Sequence, residues 1–450
     1  MQYFPLTDKQ REEIKQEIGV KDVKELFSDI PNEKAWYSLE NIPNSLPENE
    51  LLKKFNELSN KNTYSDYASF LGGGSYNHFI PEVVNNLSSR SEFLTPYTPY
   101  QPEVSQGSLQ AMFEYQTMMA MLTGMDISNA SLYDGGTAAI EGALLALRKS
   151  KKSKMIIAEN LHPEYIEIIN TYVQNLDIEV EQVSYDRETG KVDLSRLKTK
   201  LNDEVGCFLF QSPNFLGVIE DSKEISDTVH LHEKSFSVQV VAEAMSLPFL
   251  APAGEQGVDI VVGEAQSFGL SMSFGGPYLG FIAAKNEFLR QMPGRLVGET
   301  KDIDGKRGFV LTLSTREQHI KREKATSNIC SNQAWCALRA GIYLSTLGKG
   351  GLREISKLNH LNTAYFAQEV EKYDFIKIKY KKDFFNELVL ELDGIDSDDF
   401  LAKLKKKKLL AGIPLKWFYK TSDNLVLINF TEMHNKGDID LLVKEIGELK

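Results

Sequence analysis

The sequence predicts an α/β fold: a mostly parallel sheet flanked by helices, with a helical segment before it and a smaller α+β domain after it. Three observations carry this. From about residue 130 to "GFIAAK", short apolar runs alternate with helix-like stretches, as in sheets covered on both faces. The first 60 or so residues carry helix signals and no strand pattern. Beyond about residue 330 a helical stretch leads into mixed strands and helices. The expected boundaries are 1–65 for a helical arm, 66–330 for the large α/β domain and 331–450 for the small α+β domain. A chain of 450 residues is long enough for one large domain with appendages.

In order, "TDKQREEIKQEIG" opens with the capping residue Thr7 and closes at Gly19, a complete helix signature. "KDVKELFSDIP" repeats the pattern and stops before Pro31, and "ENELLKKFNELSNKN" is a third amphipathic helix. This segment reads as an arm or small helical layer packing on the main body. "FLGGGSYNHFIP" holds Gly72, Gly73 and Gly74. No Gly-Lys-Ser/Thr follows, so it reads as a tight turn rather than a nucleotide phosphate loop. "TPYTPYQP" is too rich in proline for helix or central strand. It predicts a rigid extended loop presenting Tyr97, Thr98, Tyr100 and Gln101, followed by a long helix from about Gln106. "KMIIAEN", "IEVEQVSYD", "VGCFLFQSPN", "SFSVQVVAEAM" and "GVDIVVGEAQ" read as strands, with helices "PEYIEIINTYVQN" and "DLSRLKTKL" between the first three. In the C-terminal region, "NQAWCALRAGIYLSTLG", "DDFLAKLKKKKLL" and "DIDLLVKEIGEL" read as helices and "NLVLINF" as a strand.

Composition narrows the functional classes. Hydrophobic residues are 42% and charged residues 25%, ordinary values for a globular protein. No apolar run reaches the roughly 18 residues of a membrane span. The N-terminus lacks the apolar core of a signal peptide, so a cytoplasmic location is expected. A net charge of −12 argues against a general nucleic-acid binder. Cys207, Cys330 and Cys336, without a CxxC, give neither a disulfide framework nor a zinc site. His230 and His232 in "HLHEK" stand two apart, the wrong spacing for one helix face. The run Lys403–Leu410 reads as a solvated helix face with buried leucines.

Four features fall in the order that a pyridoxal phosphate (PLP) site needs. "DGGTAAIEGA" places Gly135 and Gly136 before a helix starting at about Thr137, where free amides and the helix dipole favour phosphate. His162 in "ENLHPEY" is placed to lie against an aromatic ring. Glu243 ends the strand of "VVAEAMSLP", where a carboxylate pairs with a protonated pyridine nitrogen. Gln266 in "VVGEAQSFG" stands where the Schiff-base lysine is needed. An amide nitrogen is not nucleophilic, so no internal aldimine forms there. The residues therefore describe a PLP-enzyme scaffold that does not catalyse alone. A stand-alone enzyme using another lysine, such as Lys285 after "GFIAA", is the opposing reading.

The blocks "YTPYQPEVSQG", "NASLYDGGTAAIEGA", "FGGPYLGFIAAK", "MPGRLVGET" and "LTLSTREQHIKREKATSNIC" resemble the first half of the glycine-cleavage P-protein family, glycine dehydrogenase (decarboxylating). The likeness runs nearly end to end, and the length resembles subunit 1 (alpha) of the two-chain bacterial form. The resemblance implies a PLP-dependent transferase fold of type I. It implies that PLP is bound by partner subunit 2 (beta) rather than this chain. The implied reaction is decarboxylation of glycine, with transfer of the aminomethyl group to the lipoyl group of H-protein. It further implies a heterotetramer, with no nucleic acid and no membrane as partners. A glutamine at position 266 fits the family's first half, whereas aspartate is expected at position 243. Tyr97, Thr98, Tyr100 and Gln101 are expected to reach the active site of subunit 2. Arg316 and His319, in the basic stretch "TREQHIKREK", are expected to meet a carboxylate of substrate or interface. A purely structural or regulatory partner of a PLP enzyme is the alternative.

Overall fold

Seven strands form the central sheet: β1 (Ile127–Ser128), β2 (Lys154–Ala158), β3 (Glu179–Val183), β4 (Val205–Gln211), β5 (Phe236–Val241), β6 (Ile260–Glu264) and β7 (Gly280–Ala284). They lie side by side in the order β1-β7-β6-β5-β4-β2-β3. The β6-β5-β4-β2-β3 pairs are parallel, and β7 runs antiparallel to both β6 and β1. The computed structural model describes residues 6–30, 42–95, 98–325, 327–329, 333–420 and 422–449. The chain divides into two compact units, Met1–Ser65 and Asp66–Lys450.

In the first unit, α1 (Asp8–Ile18) begins at a Thr7 capping box and ends at Gly19 in the left-handed conformation. A second helix, α2, spans Glu48–Ser59. The stretch after Asp22, expected as a helix, forms a short 3-10 turn at Val23–Phe27 among the described residues.

In the second unit the central sheet is buried on both faces, which explains its near-continuous apolar strands. On β4, Phe208 and Phe210 face one apolar layer while Cys207 and Leu209 face the other. The first layer is completed by α3 (Gln106–Thr123) and by α8 (Ala334–Val370) through Tyr115, Met119, Ala337 and Tyr343. The second is covered by α4 (Gly135–Ser150) and α5 (Pro163–Val173). Helices α6 (Leu194–Lys200) and α7 (Ser222–Val229) complete the alternation. A hairpin, β8 (Leu296–Lys301) and β9 (Arg307–Thr312), follows the sheet.

The basic stretch after β9 is not one helix. It breaks into turns at Ser314–Arg316, Gln318–Lys321 and Arg322–Lys324, with Arg322 at φ +54°. Helical spacing therefore does not order its charges. Helix α8 bends at Gly348, whose backbone is non-helical. It leads into a second sheet, β10 (Ile376–Ile378), β11 (Glu387–Leu392), β12 (Ile413–Pro414) and β13 (Leu425–Asn429), ordered β10-β11-β13-β12 and wholly antiparallel. Helices α9 (Ser397–Lys406) and α10 (Lys436–Gly447) cover it. Phe400 and Leu404 supply the buried side of the lysine-rich α9.

Candidate functional site: a pocket filled by the chain itself

Parallel strands bring their C-terminal ends to one edge of the sheet, where ligands bind in open α/β folds. His162 follows β2, Glu243 follows β5 and Gln266 follows β6. The N-terminus of α4, with Gly135, Gly136 and Thr137, belongs to the same edge, because Glu264 at the end of β6 bonds to it.

The segment after the two-residue strand Ala68–Ser69 crosses this edge. Gly72–His78 touches the ends of β2, β5 and β6 and also the small sheet. Gly73 N donates to Glu387 Oε1 at 2.7 Å, and Tyr76 OH donates to Glu387 Oε2 at 2.9 Å. Tyr76 N donates to Gln266 Oε1 at 3.2 Å. Thr431 Oγ1 donates to Asn77 O, and Phe79 N to Glu432 Oε1. The glycine-rich stretch is thus a strap rather than a simple turn.

Each residue expected at a cofactor is committed to another protein group. His162 Nε2 donates to Gly73 O at 2.8 Å, and its ring stacks on Tyr165 at 4.6 Å between centroids. Burial pushes its pKa down, so this histidine is the neutral Nε2–H tautomer. Glu243 lies 3.1 Å from His78 Nε2, and Glu432 lies 2.9 Å from His78 Nδ1. Burial opposes the charge on His78, yet the two carboxylates overcome it and raise the pKa to about 10. The imidazolium therefore donates to both. Gln266 Nε2 donates to Leu270 O at 2.6 Å, so both ends of its amide are engaged within the chain.

At the helix N-terminus expected to favour phosphate, the Gly135 amide is taken by a carboxylate. Glu264 Oε2 accepts from Gly135 N at 2.9 Å, and Oε1 accepts from Gln266 N at 3.0 Å and Leu279 N at 2.8 Å. Thr137 N is capped by Asp134 Oδ1 at 2.8 Å, so α4 starts at Gly135 rather than at Thr137. A Cβ at Gly135 would stand 2.3 Å from Tyr165 OH. Burial pushes Glu264 up to about 7 while the backbone amides of Leu279 and Gly135 hold it down. Glu387 is raised to about 7 for the same first reason, burial. The residues at this edge do not fit PLP: His162, Glu243 and the Gly135 amide are engaged by other groups of the chain, and Gln266 stands where an amine is needed.

Lys285 stands at the other end of the sheet. Its Nζ binds Asp259 Oδ1 at 2.6 Å and Gly257 O at 3.1 Å, beside the start of β6. The length of β6 separates it from Gln266, so it does not replace the missing lysine. His230 pairs with Asp259 at 2.7 Å. Among the described residues no group of three or more metal-ligating side chains is gathered, and no helix is long and apolar enough to cross a membrane.

A second cluster holds the proline-braced loop. Tyr97 lies outside the described residues. Thr98, Tyr100 and Gln101 line a cleft of about 690 Å³, together with Glu92, Phe93 and Ser108. Tyr100 OH accepts from Arg295 at 3.1 Å, and its ring meets His319 edge-on at 6.3 Å. Arg316 is buried and its Nη1 donates to Met292 O, three residues before Arg295. Its Nε and Nη2 have no hydrogen-bond partner among the described residues. Tyr100 and His319 thus come together although the stretch around His319 is not one helix, and the Met292–Arg295 segment links Tyr100 to Arg316.

The family model of the glycine cleavage system P-protein matches residues 1–446. The chain belongs to the glycine cleavage system P-protein family. A relative from Koribacter versatilis (strain Ellin345), named probable glycine dehydrogenase (decarboxylating) subunit 1, is 45% identical over all of both chains. The crystal structure of a glycine decarboxylase (P-protein) in inhibitor-bound form is 38% identical, covers 100% of each chain and has a TM-score of 0.90. A glutamate decarboxylase of Lactobacillus brevis shares the fold alone, with a TM-score of 0.68, 14% identity and coverage of 94% and 95%. The fold of this P-protein family member is that of type I PLP enzymes.

Tyr76, His78, Glu264, Glu387, Glu432 and Arg295 were not singled out from the sequence. For Glu264 a signal existed: a carboxylate closing an apolar strand, two residues before the lysine position. For His78 there was none, because its partners Glu243 and Glu432 are 165 and 354 residues away.

Proposed function

We propose that this chain is the non-PLP-carrying subunit of a two-chain, cytoplasmic glycine decarboxylase. With subunit 2 it decarboxylates glycine and passes the remaining aminomethyl group to the lipoyl disulfide of H-protein. The disulfide is the electron acceptor: one sulfur takes the aminomethyl group and the other becomes a thiol. The observation that carries this reading is the filled pocket, in which Glu264, Gln266 and His78 stand where the cofactor's contacts would be. PLP is then held by subunit 2, in a heterotetramer of two copies of each chain.

This chain contributes the wall of its partner's site. The loop of Thr98, Tyr100 and Gln101 faces the partner, with His319 against Tyr100 and Arg316 on the neighbouring Met292 carbonyl, and the same motif carries Tyr97. The unused donors of Arg316 and the hydroxyl-bearing loop support a role in holding an anionic group, the glycine carboxylate in particular. Arg316→Ala in the assembled enzyme is expected to raise KM for glycine about tenfold or more, the loss of a charged hydrogen bond worth about 1.5–3 kcal/mol. Tyr97→Phe and Tyr100→Phe are expected to lower the rate or the glycine affinity. Unchanged kinetics with a weaker complex would instead favour the structural-partner reading.

The deciding experiment is PLP labelling. Each chain alone and the two together are incubated with PLP, reduced with borohydride and mapped by mass spectrometry. Label on subunit 2 only is expected. Stoichiometric label on one lysine of this chain would overturn the reading.

A further inference from the structure

The absence of a lysine is a sufficient reason for the absence of an aldimine, but it is not a reason for the absence of the cofactor. A phosphopyridine ring held by its phosphate, its ring nitrogen and a stacking histidine needs no covalent bond to stay in a pocket that is shaped for it. The geometry at the sheet edge shows a second and stronger obstacle.

We propose that the segment Gly72–His78 is an internal occupant of the cofactor position, with Glu264 as its anion, so that restoring the lysine does not restore cofactor binding. Three independent contacts carry this. At the ring position, Tyr165 stacks on His162, and the backbone of Gly73 and Gly74 lies against the imidazole edge. A Cβ built on Gly74 would be 2.5 Å from His162 Nε2. At the ring-nitrogen position, Glu243 already pairs with a cation, His78, which sits 6% exposed between two glutamates. A pyridinium would have to displace that cation and leave it facing Glu432 alone. At the phosphate position, the Glu264 carboxylate takes the Gly135 amide. A phosphate dianion there would have to displace Glu264 from the Gly135 amide, and the ionised form of that carboxyl would repel it.

The strap is also hard to move. Its anchors at Glu387, Glu432, Gln266 and His162 come from four separate elements. Opening it separates His78 from Glu243 and Glu432 and so breaks a buried ion pair in the interior. Replacing Gln266 by lysine touches one anchor, the Tyr76 amide, and leaves the others in place.

This inference rests on the proposed division of labour but fails separately from it. The probe is 4′-deoxypyridoxine 5′-phosphate, which keeps the ring and phosphate and has no aldehyde. Wild type, Gln266→Lys and the double variant Gln266→Lys/Glu243→Asp are dialysed against it, and the lysine variants are scanned with PLP for aldimine absorbance. The expected result is no retained probe above a denatured-chain control, and no aldimine band in either variant. Saturable one-to-one retention of the probe, or a stoichiometric aldimine in a lysine variant, would overturn the inference. Retention by wild type would do so even if borohydride labels only subunit 2, so the two ideas are separated. Should the variants fail to fold, the wild-type dialysis alone decides the matter.

Discussion

His78→Ala is expected to lower the stability of this chain by about 3–5 kcal/mol, the cost of breaking a buried ion pair from one side. His78 and its partners Glu243 and Glu432 are all buried, with side-chain exposures of 1%, 3% and 8%. Removing the imidazolium leaves two carboxylates facing each other in the interior without the cation between them. The effect carries a pH signature. The folded-state pKa of His78 is raised to about 10 from an ordinary 6.5. Its contribution is therefore complete below about pH 6.5 and is lost as pH rises through about 10. The stability difference between wild type and His78→Ala, measured by denaturant unfolding, should be largest at about pH 6 and shrink toward about pH 10. A difference that does not change over this range would mean that His78 is not the charged centre of the site.

Gly74→Ala is expected to cost about 2–6 kcal/mol and to loosen the strap, because two effects add. Gly74 has φ +110°, outside the narrow left-handed well that other residues tolerate. Its Cβ would also meet the His162 ring at 2.5 Å, and that ring is held by Tyr165 and cannot step aside. Backbone strain and overpacking contribute about 1–3 kcal/mol each. Gly341→Ala is the control. Gly341 lies inside α8, and nothing stands within 4 Å of the position its methyl group would take. Alanine there should stabilise by up to about 1 kcal/mol. Equal denaturation midpoints for Gly74→Ala and wild type would mean that the strap does not approach His162 so closely. Hydrogen exchange at the amides of Gly73, Tyr76 and Phe79 reads the same event locally, and faster exchange in Gly74→Ala is the expected result.

Both predictions concern residues whose importance is invisible along the chain. The helical segment was legible because its signals are local: Thr7 and Gly19 cap α1 where the pattern places them. The parallel sheet was legible because strands buried on both faces must be apolar throughout, as β4 is. The stretch "TREQHIKREK" breaks into short turns that no local signal announces. The run is interrupted where Arg316 is buried and where Arg322 takes a positive φ.

The sequence by itself determined the α/β class, the order of the cofactor-shaped features and the lack of a Schiff-base lysine at Gln266. These are properties of residue type, period and spacing, and they do not depend on what lies across the fold. Only the tertiary structure decided that the pocket is filled. The atoms that fill it come from the glycine-rich strap, from Glu264, and from Glu387 and Glu432 late in the chain. They meet only when the two sheets pack. Charge pairing across more than a hundred residues leaves no periodic trace in a sequence, because it is selected by proximity in the interior rather than by any local backbone preference.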